Sequence, residues 1–315
     1  MSVNKVVFYS LILIGALLNL GMNFDLDAQI LEWRGLKIVT SFVAGGALSL
    51  AGLCLQTWFR NYLAGPFVLG INSGASLFIA FAIFGTGLFG IDLGGHGYMV
   101  AGILGATLSL LGLSFVSFLL SEQIYLIIYG LIFSYFSSGI VNVLMRDADQ
   151  FQVRSYLVYH LGSFERTSGM EVFVMIGFVL SVFIYLLKNF KILNYSYLGE
   201  RYARSCGVDL KRFQTKILIA VGILIGVVNV FCGPLVFVGL MGPHLARAVI
   251  KSNNHRELIP FSVLSGGIIC LYSQWVVSAF FADSIPLNGI LGLVGAPVIG
   301  VLILKKIRLQ KRRYV

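Results

Sequence analysis

Apolar residues run through this chain in long blocks, broken by short polar stretches, from residue 6 to residue 304. Ten blocks can be laid out: 6–23, 36–58, 66–84, 97–119, 124–145, 170–188, 214–231, 235–249, 258–281 and 288–304. The third and eighth are short for a membrane crossing, which takes about 20 residues as a helix. Within a block the apolar residues are continuous and do not alternate, which predicts helices and excludes a lipid-facing β-barrel. Backbone groups in lipid must bond to one another, so a row of such blocks predicts an all-α, polytopic helical bundle of about ten transmembrane helices. The first block follows Lys5 as in a signal peptide, but no small-x-small cleavage site follows it, so it reads as a retained helix. No linker or low-complexity stretch divides the blocks, and residues 1–315 read as one transmembrane domain.

Composition supports lipid as the solvent. Only 11% of the 315 residues are charged and 58% are hydrophobic, whereas a soluble domain carries about 25% charged residues. The 36 glycines suit helices that approach closely in a membrane. A net charge of +10 could suggest nucleic acid, but the charges sit in short loops, so no nucleic-acid partner is expected. With the N-terminus in the cytoplasm, 18 of the 23 lysines and arginines fall on the cytoplasmic side and 5 on the other. That asymmetry predicts both termini inside and an even number of spans. The four cysteines (Cys54, Cys206, Cys232 and Cys270) are far apart and form no Cys-x-x-Cys pair; three lie in or beside apolar blocks and read as packing residues. No metal or other cofactor is expected.

Several polar residues invite a functional reading. Arg34 and Lys37 stand one turn apart where the second block begins, so both can face outward, either anchoring the helix at the interface or meeting carboxylates of a docking protein. Asn61 and Leu63 fall between two helices on the cytoplasmic side, where asparagine suits a turn. The 198–212 stretch holds Glu200, Arg201, Arg204, Asp209, Lys211 and Arg212, with Gly199 and Gly207 near its ends. It reads as a basic loop on acidic lipid or as a short amphipathic helix that meets a partner. His244 follows Pro243, with Arg247 three residues on; one histidine without acidic or thiol neighbours makes a poor metal site. Gln56, Asn61, Ser137 and Ser138 are candidate polar residues of a pathway wall. Two stretches resemble each other: "GPFVLGINSGAS" from Gly65 and "GPLVFVGLMGPH" from Gly233. Each opens with Gly-Pro, proline suits the first turn of a helix, and the pair would begin on opposite sides, as in an inverted repeat.

No phosphate-binding G-x-x-x-x-G-K-[ST] loop, no H-E-x-x-H and no G-x-S-x-G is present, so the chain is not expected to hydrolyse ATP or to be an enzyme. Charged residues are nearly absent within the blocks, which disfavours a proton-driven secondary transporter.

Four stretches, taken in order, resemble the FecCD-type permeases of ATP-driven importers for iron–siderophores, haem and cobalamin. In residues 34–77, Gln56, Asn61, Leu63, Ala64, Pro66, Leu69, Gly70, Gly74 and Ala75 match Q-x-x-x-x-N-P-L-A-x-P-x-x-L-G-x-x-x-G-A, with Tyr62 in place of the proline. The opening Arg34-Gly35-Leu36-Lys37 likewise lacks the family's proline. "LGERYARSCGV" (198–208) is similar to L-G-E-x-x-A-R-x-L-G-V through Gly199, Glu200, Ala203, Arg204 and Gly207. In residues 232–250, Gly233, Phe237, Val238, Gly239, Leu240, Pro243, His244 and Arg247 match G-x-I-x-F-V-G-L-x-x-P-H-x-x-R. "GAPVIGVLILKK" closes the last block. The resemblance implies a permease dimer, two ATPase subunits and an extracytoplasmic binding protein in a bacterial cytoplasmic membrane. It implies docking at Arg34 and Lys37, an inner gate around Asn61 and Leu63, and coupling to the ATPase through residues 198–212. The expected cargo is an iron(III)–siderophore, with haem or cobalamin as the alternative.

Overall fold

The computed structural model describes residues 3–20, 28–89, 94–119, 123–281 and 284–311. Asp25, Asp27, Asp92, Arg312 and Arg313, which enter the charge asymmetry or the acidic outer loops, lie outside the described residues. Thirteen helices, and no strand, are found among the described residues. They are α1 (Val3–Leu20), α2 (Ala28–Trp58), α3 (Ile71–Phe89), α4 (Gly94–Leu119), α5 (Gln123–Arg146), α6 (Gln150–Leu161), α7 (Gly169–Lys188), α8 (Phe190–Leu198), α9 (Glu200–Ser205), α10 (Leu210–Cys232), α11 (Val238–Ile250), α12 (His255–Phe281) and α13 (Leu287–Lys311).

Each of the ten apolar blocks falls on one helix. Among the described residues, five helices are long and apolar enough to cross a membrane (within α2, α5, α7, α10 and α12), and five shorter apolar helices lie within α1, α3, α4, α11 and α13. The extra helices, α6, α8 and α9, are short and carry tyrosines and polar residues that interrupt an apolar pattern.

Helix α2 is the axis, packed against α1, α7, α8, α10, α11 and α12. Glycine sets how closely. A Cβ on Gly45 would sit 2.2 Å from the Gly266 carbonyl oxygen of α12, and one on Gly52 would sit 1.6 Å from the Gly239 carbonyl oxygen of α11. Any side chain at these points would push the helices apart. Where water cannot compete, hydroxyls add adhesion: Ser49 Oγ donates to the Ser262 carbonyl at 2.7 Å, and Thr40 and Thr167 hydroxyls meet at 2.9 Å.

The two Gly-Pro stretches depart from expectation. Neither proline lies in the first helical turn, because α3 begins only at Ile71 and α11 only at Val238. Both stretches are irregular lead-ins packed against each other, with the Phe67 and Phe237 ring centroids 6.2 Å apart. Irregular backbone at membrane depth needs internal partners. Around 233–237 two asparagines supply them. Asn288 Nδ2 donates to the Pro234 carbonyl (2.7 Å), Asn288 Oδ1 accepts from the Val236 N–H (3.3 Å), and Asn72 Nδ2 donates to the Leu235 carbonyl (3.3 Å). Helix α11 has 13 residues, about 20 Å of rise, and does not cross a 30 Å core alone.

Candidate functional site

Residues from two of the four sequence motifs meet at the end of the bundle where α2 stops, together with Tyr197, which immediately precedes a third. The Thr57 to Gly70 segment turns there. The Asn61 carbonyl accepts from the Ala64 N–H at 3.0 Å, and the Asn61 side-chain oxygen accepts from the Leu63 N–H at 3.0 Å. Asparagine therefore serves the turn as its residue type suggests. Helix α11 reaches the same turn with one face. His244 Nε2 donates to the Tyr62 carbonyl at 2.9 Å, which requires the proton on that nitrogen. One helical turn on, Arg247 Nη1 donates to Gln56 Oε1, and its guanidinium carbon lies 4.8 Å from the Tyr62 ring centroid. Gln56 is buried and also donates to the Leu240 carbonyl at 3.4 Å. Nε of Arg247 is buried without a hydrogen-bond partner. No carboxylate lies within ion-pair range of Arg247 among the described residues.

The α8–α9 arm closes this junction. The Tyr197 hydroxyl hydrogen-bonds the Tyr62 hydroxyl. Burial and that contact push the Tyr197 phenol up to about 12. Asn194 Oδ1 accepts from the His255 backbone N–H (2.9 Å) and from Nδ1 of its ring (2.7 Å), while Nε2 meets the Thr57 hydroxyl at 2.7 Å. His255 is buried, so this chain of contacts ties α8, α2 and α12 together. Beyond it the arm swings on two glycines at positive φ, Gly199 (+125°) and Gly207 (+76°), angles that L side chains rarely adopt. Between them α9 buries Ala203 and exposes Arg201 and Arg204; Glu200 is its first residue. Asp209 then caps α10 by accepting from the Arg212 N–H. The 198–212 stretch is thus a short amphipathic helix held between glycine joints.

Ser137 and Ser138 lie on α5. They line a cleft of about 50 Å³ with Asn72, Ser73, Ser76, Tyr156 and His160. Ser137 is buried and Ser138 exposed. The Ser137 hydroxyl and Oδ1 of Asn72 are buried without a hydrogen-bond partner among the described residues. Such a polar spot suits bound water, and its volume holds a few waters at most. Gln56 and Asn61 stand away from this wall, at the α2 end described above.

Arg34 and Lys37 do not both face outward. Lys37 is 6% exposed, stacks over the Trp33 ring (3.6 Å to the centroid) and pairs with Glu165 of the 162–168 loop. The ion pair turns it inward, because a lysine at this depth is stabilised more by a carboxylate than by a free rim position. Arg34 is half-buried. Gly239 lies in the α2–α11 contact, against Pro66 and the Leu48 carbonyl, and Pro243 is buried within α11.

Sequence reasoning missed Tyr62 as a contact residue, along with Tyr197, His255, Asn194 and Glu165. Tyr62 was visible only as a departure from a family proline, and the others carried no local signal. Of the cysteines, Cys54, Cys232 and Cys270 are buried and Cys206 is exposed.

A helical bundle with broken helices at its centre, apolar helices around them and a charged arm hinged on glycines defines a multi-pass membrane permease. The FecCD transport family model matches residues 5–305, and the chain belongs to that family, whose relatives are subunits of ABC importers. The chain is 31% identical over 266 residues to the vitamin B12 import system permease protein BtuC of Vibrio vulnificus, covering 83% of this chain and 78% of the relative. It is 31% identical over 274 residues to the molybdate import system permease protein MolB of Haemophilus influenzae, covering 85% and 79%. A solved metal-chelate type ABC transporter in an inward-facing conformation superposes with a TM-score of 0.82 at 27% identity, covering 95% of this chain and 98% of the other.

Proposed function

We propose that this chain is the permease subunit of an ATP-binding-cassette importer that carries an iron(III)–siderophore across a bacterial cytoplasmic membrane. A separate subunit hydrolyses the ATP, a second permease copy or a related chain completes the pathway, and an extracytoplasmic binding protein delivers the cargo. The observation that carries the reading is the meeting of two motif stretches at one end of the bundle, Gln56 and the 61–64 turn with His244 and Arg247, joined there by Tyr197 immediately before the 198–212 arm. A hinged, basic arm bonded to a turn beside a broken helix is the arrangement that lets an outside machine move a gate. In this reading Asn61 and Leu63 gate the inner mouth, Ser137 and Ser138 line the pathway, and Arg201 and Arg204 face the ATPase. Arg34 meets the binding protein, while Lys37 holds the adjoining loop through Glu165.

The metal-chelate transporter of similar fold favours a chelate as cargo. The B12 permease supports cobalamin as the second reading. Uptake of radioactive ferric hydroxamate and of labelled cobalamin by a strain lacking the chain, with and without its gene restored, separates the two. Loss of neither uptake overturns both cargo readings. Copurification of an ATPase subunit with the chain is expected; its absence favours an ion-coupled carrier. Both termini are placed in the cytoplasm, so a cysteine at Asp147 should react with an impermeant maleimide from outside and one at Arg204 should not. The reverse pattern inverts the topology.

A further inference from the structure

We propose that Tyr62, Tyr197 and Arg247 form a latch that passes movement of the α8–α9 arm to the 61–64 turn. Arg247 and Tyr62 are then positioning residues of the inner gate. The inference rests on the reading that an ATPase moves the arm.

The arm is tied to the bundle at two points of different character. Near its root, Asn194 is locked to His255 by hydrogen bonds of 2.7 and 2.9 Å, and buried His255 in turn meets the Thr57 hydroxyl at 2.7 Å. That point is fixed to α2 and α12. Three residues further on, the Tyr197 hydroxyl meets that of Tyr62, and the Tyr197 ring lies edge-on to His255 with centroids 6.3 Å apart. The Gly199 joint follows at φ +125°. A displacement of α9 therefore pulls on Tyr197, whose ring bears on the fixed His255 and whose hydroxyl hands the pull on to Tyr62.

Tyr62 turns that displacement into a change at the gate. Its carbonyl is held by His244, a contact that any residue type could make. Its ring is a separate matter. The ring lies under the Arg247 guanidinium at 4.8 Å, and the hydroxyl at its far edge meets Tyr197. Tilting the ring by its hydroxyl weakens a cation–π contact that depends on the cation facing the ring. Arg247 has no carboxylate to fall back on among the described residues, and its Nε is buried without a hydrogen-bond partner. Its remaining anchor is Gln56, the residue one turn before the 61–64 segment. Release of the ring thus loosens α11 from α2 where the turn begins. A proline at position 62 would supply neither ring nor hydroxyl.

The test uses the permease with its copurifying ATPase in proteoliposomes. Cys206 is the one exposed cysteine among the four, so Cys206→Ser is the background, and Leu63→Cys reports the turn through its rate of reaction with a water-soluble maleimide. In that background ATP with vanadate should change the labelling rate. Tyr62→Phe keeps the ring and loses only the hydroxyl, and Tyr197→Phe loses the partner hydroxyl. Each should cut the nucleotide-dependent change by about fivefold, the scale of one hydrogen bond, and the double variant should cut it no further. Subunit assembly and basal ATP hydrolysis should persist. Full responses in both single variants, or losses that multiply in the double variant, overturn the latch while leaving the importer reading intact. A background protein that assembles with no ATPase, or that ignores nucleotide, overturns both.

Discussion

Two cations sit near opposite ends of α2's surroundings, and they are held in opposite ways. Lys37 is buried, and its charge is met by a carboxylate, Glu165, with Trp33 beneath it. Arg247 is partly buried, and its charge is met by neutral groups, the amide oxygen of Gln56 and the face of Tyr62. A buried ion pair stays closed, because parting it leaves two charges uncompensated. A guanidinium held by an amide and a ring parts at the cost of contacts worth about 1–2 kcal/mol each. The contacts at Arg247 are thus the easier of the two sets to part, which fits the latch proposed above.

The comparison breaks most visibly at Arg247. Arg247→Met removes the charge and leaves the buried Gln56 amide oxygen without that donor, so transport should fall more than about tenfold, out of proportion to a stability loss of about 1–3 kcal/mol. Uptake assays beside a melting curve in detergent check this, and a protein that fails to accumulate would make Arg247 a structural residue. Lys37→Met should do the reverse. It strands Glu165, whose side chain is 32% exposed, so the penalty for an unpaired buried carboxylate is reduced to about 1–2 kcal/mol. A lower melting temperature is expected, with most of it restored in Lys37→Met/Glu165→Gln. If the double variant is no more stable than the single one, the pair is not what holds the 162–168 loop.

Smaller effects sharpen the contrast at each end. Reversing both exposed arm charges, Arg201→Glu with Arg204→Glu, should lower transport severalfold without unfolding the bundle, and cofractionation with the ATPase reports the cause. Unchanged assembly and transport would leave the arm a basic membrane anchor. At the other end Arg34→Glu should weaken binding-protein affinity by no more than about fivefold, since a rim pair contributes about 0.2–1 kcal/mol. Titration at low and physiological salt should show a larger change at low salt.

Much of the architecture was legible along the chain. Ten apolar blocks of about the right length could only be helices in lipid, and each one is a helix. The turn at Asn61 was legible too, because asparagine closes its own hydrogen bond two residues on. Helix α9 was one of two readings of the 198–212 stretch; α6 and α8 were not legible, since tyrosines and polar residues in a dozen positions or fewer give no clear period. The two Gly-Pro lead-ins were read as helix starts, and the backbone of the second is bonded from far away by Asn72 and Asn288. Lys37 shows the same limit. One turn of helix allows it to face outward with Arg34, and only Glu165, on a distant loop, turns it in.

By itself the sequence determined the solvent, the helical class and the family, because hydropathy, glycine content and motif order are properties of neighbours along the chain. The tertiary structure decided which polar group answers which. Gln56 and Arg247 stand 191 residues apart, His244 and Tyr62 182, and Tyr197 and Tyr62 135. No local pattern encodes such pairings. They exist because glycine-to-glycine packing brings α2 and α11 within backbone contact, and at that distance Gln56, Tyr62, His244 and Arg247 come within reach of one another and are stabilised by pairing where burial removes water.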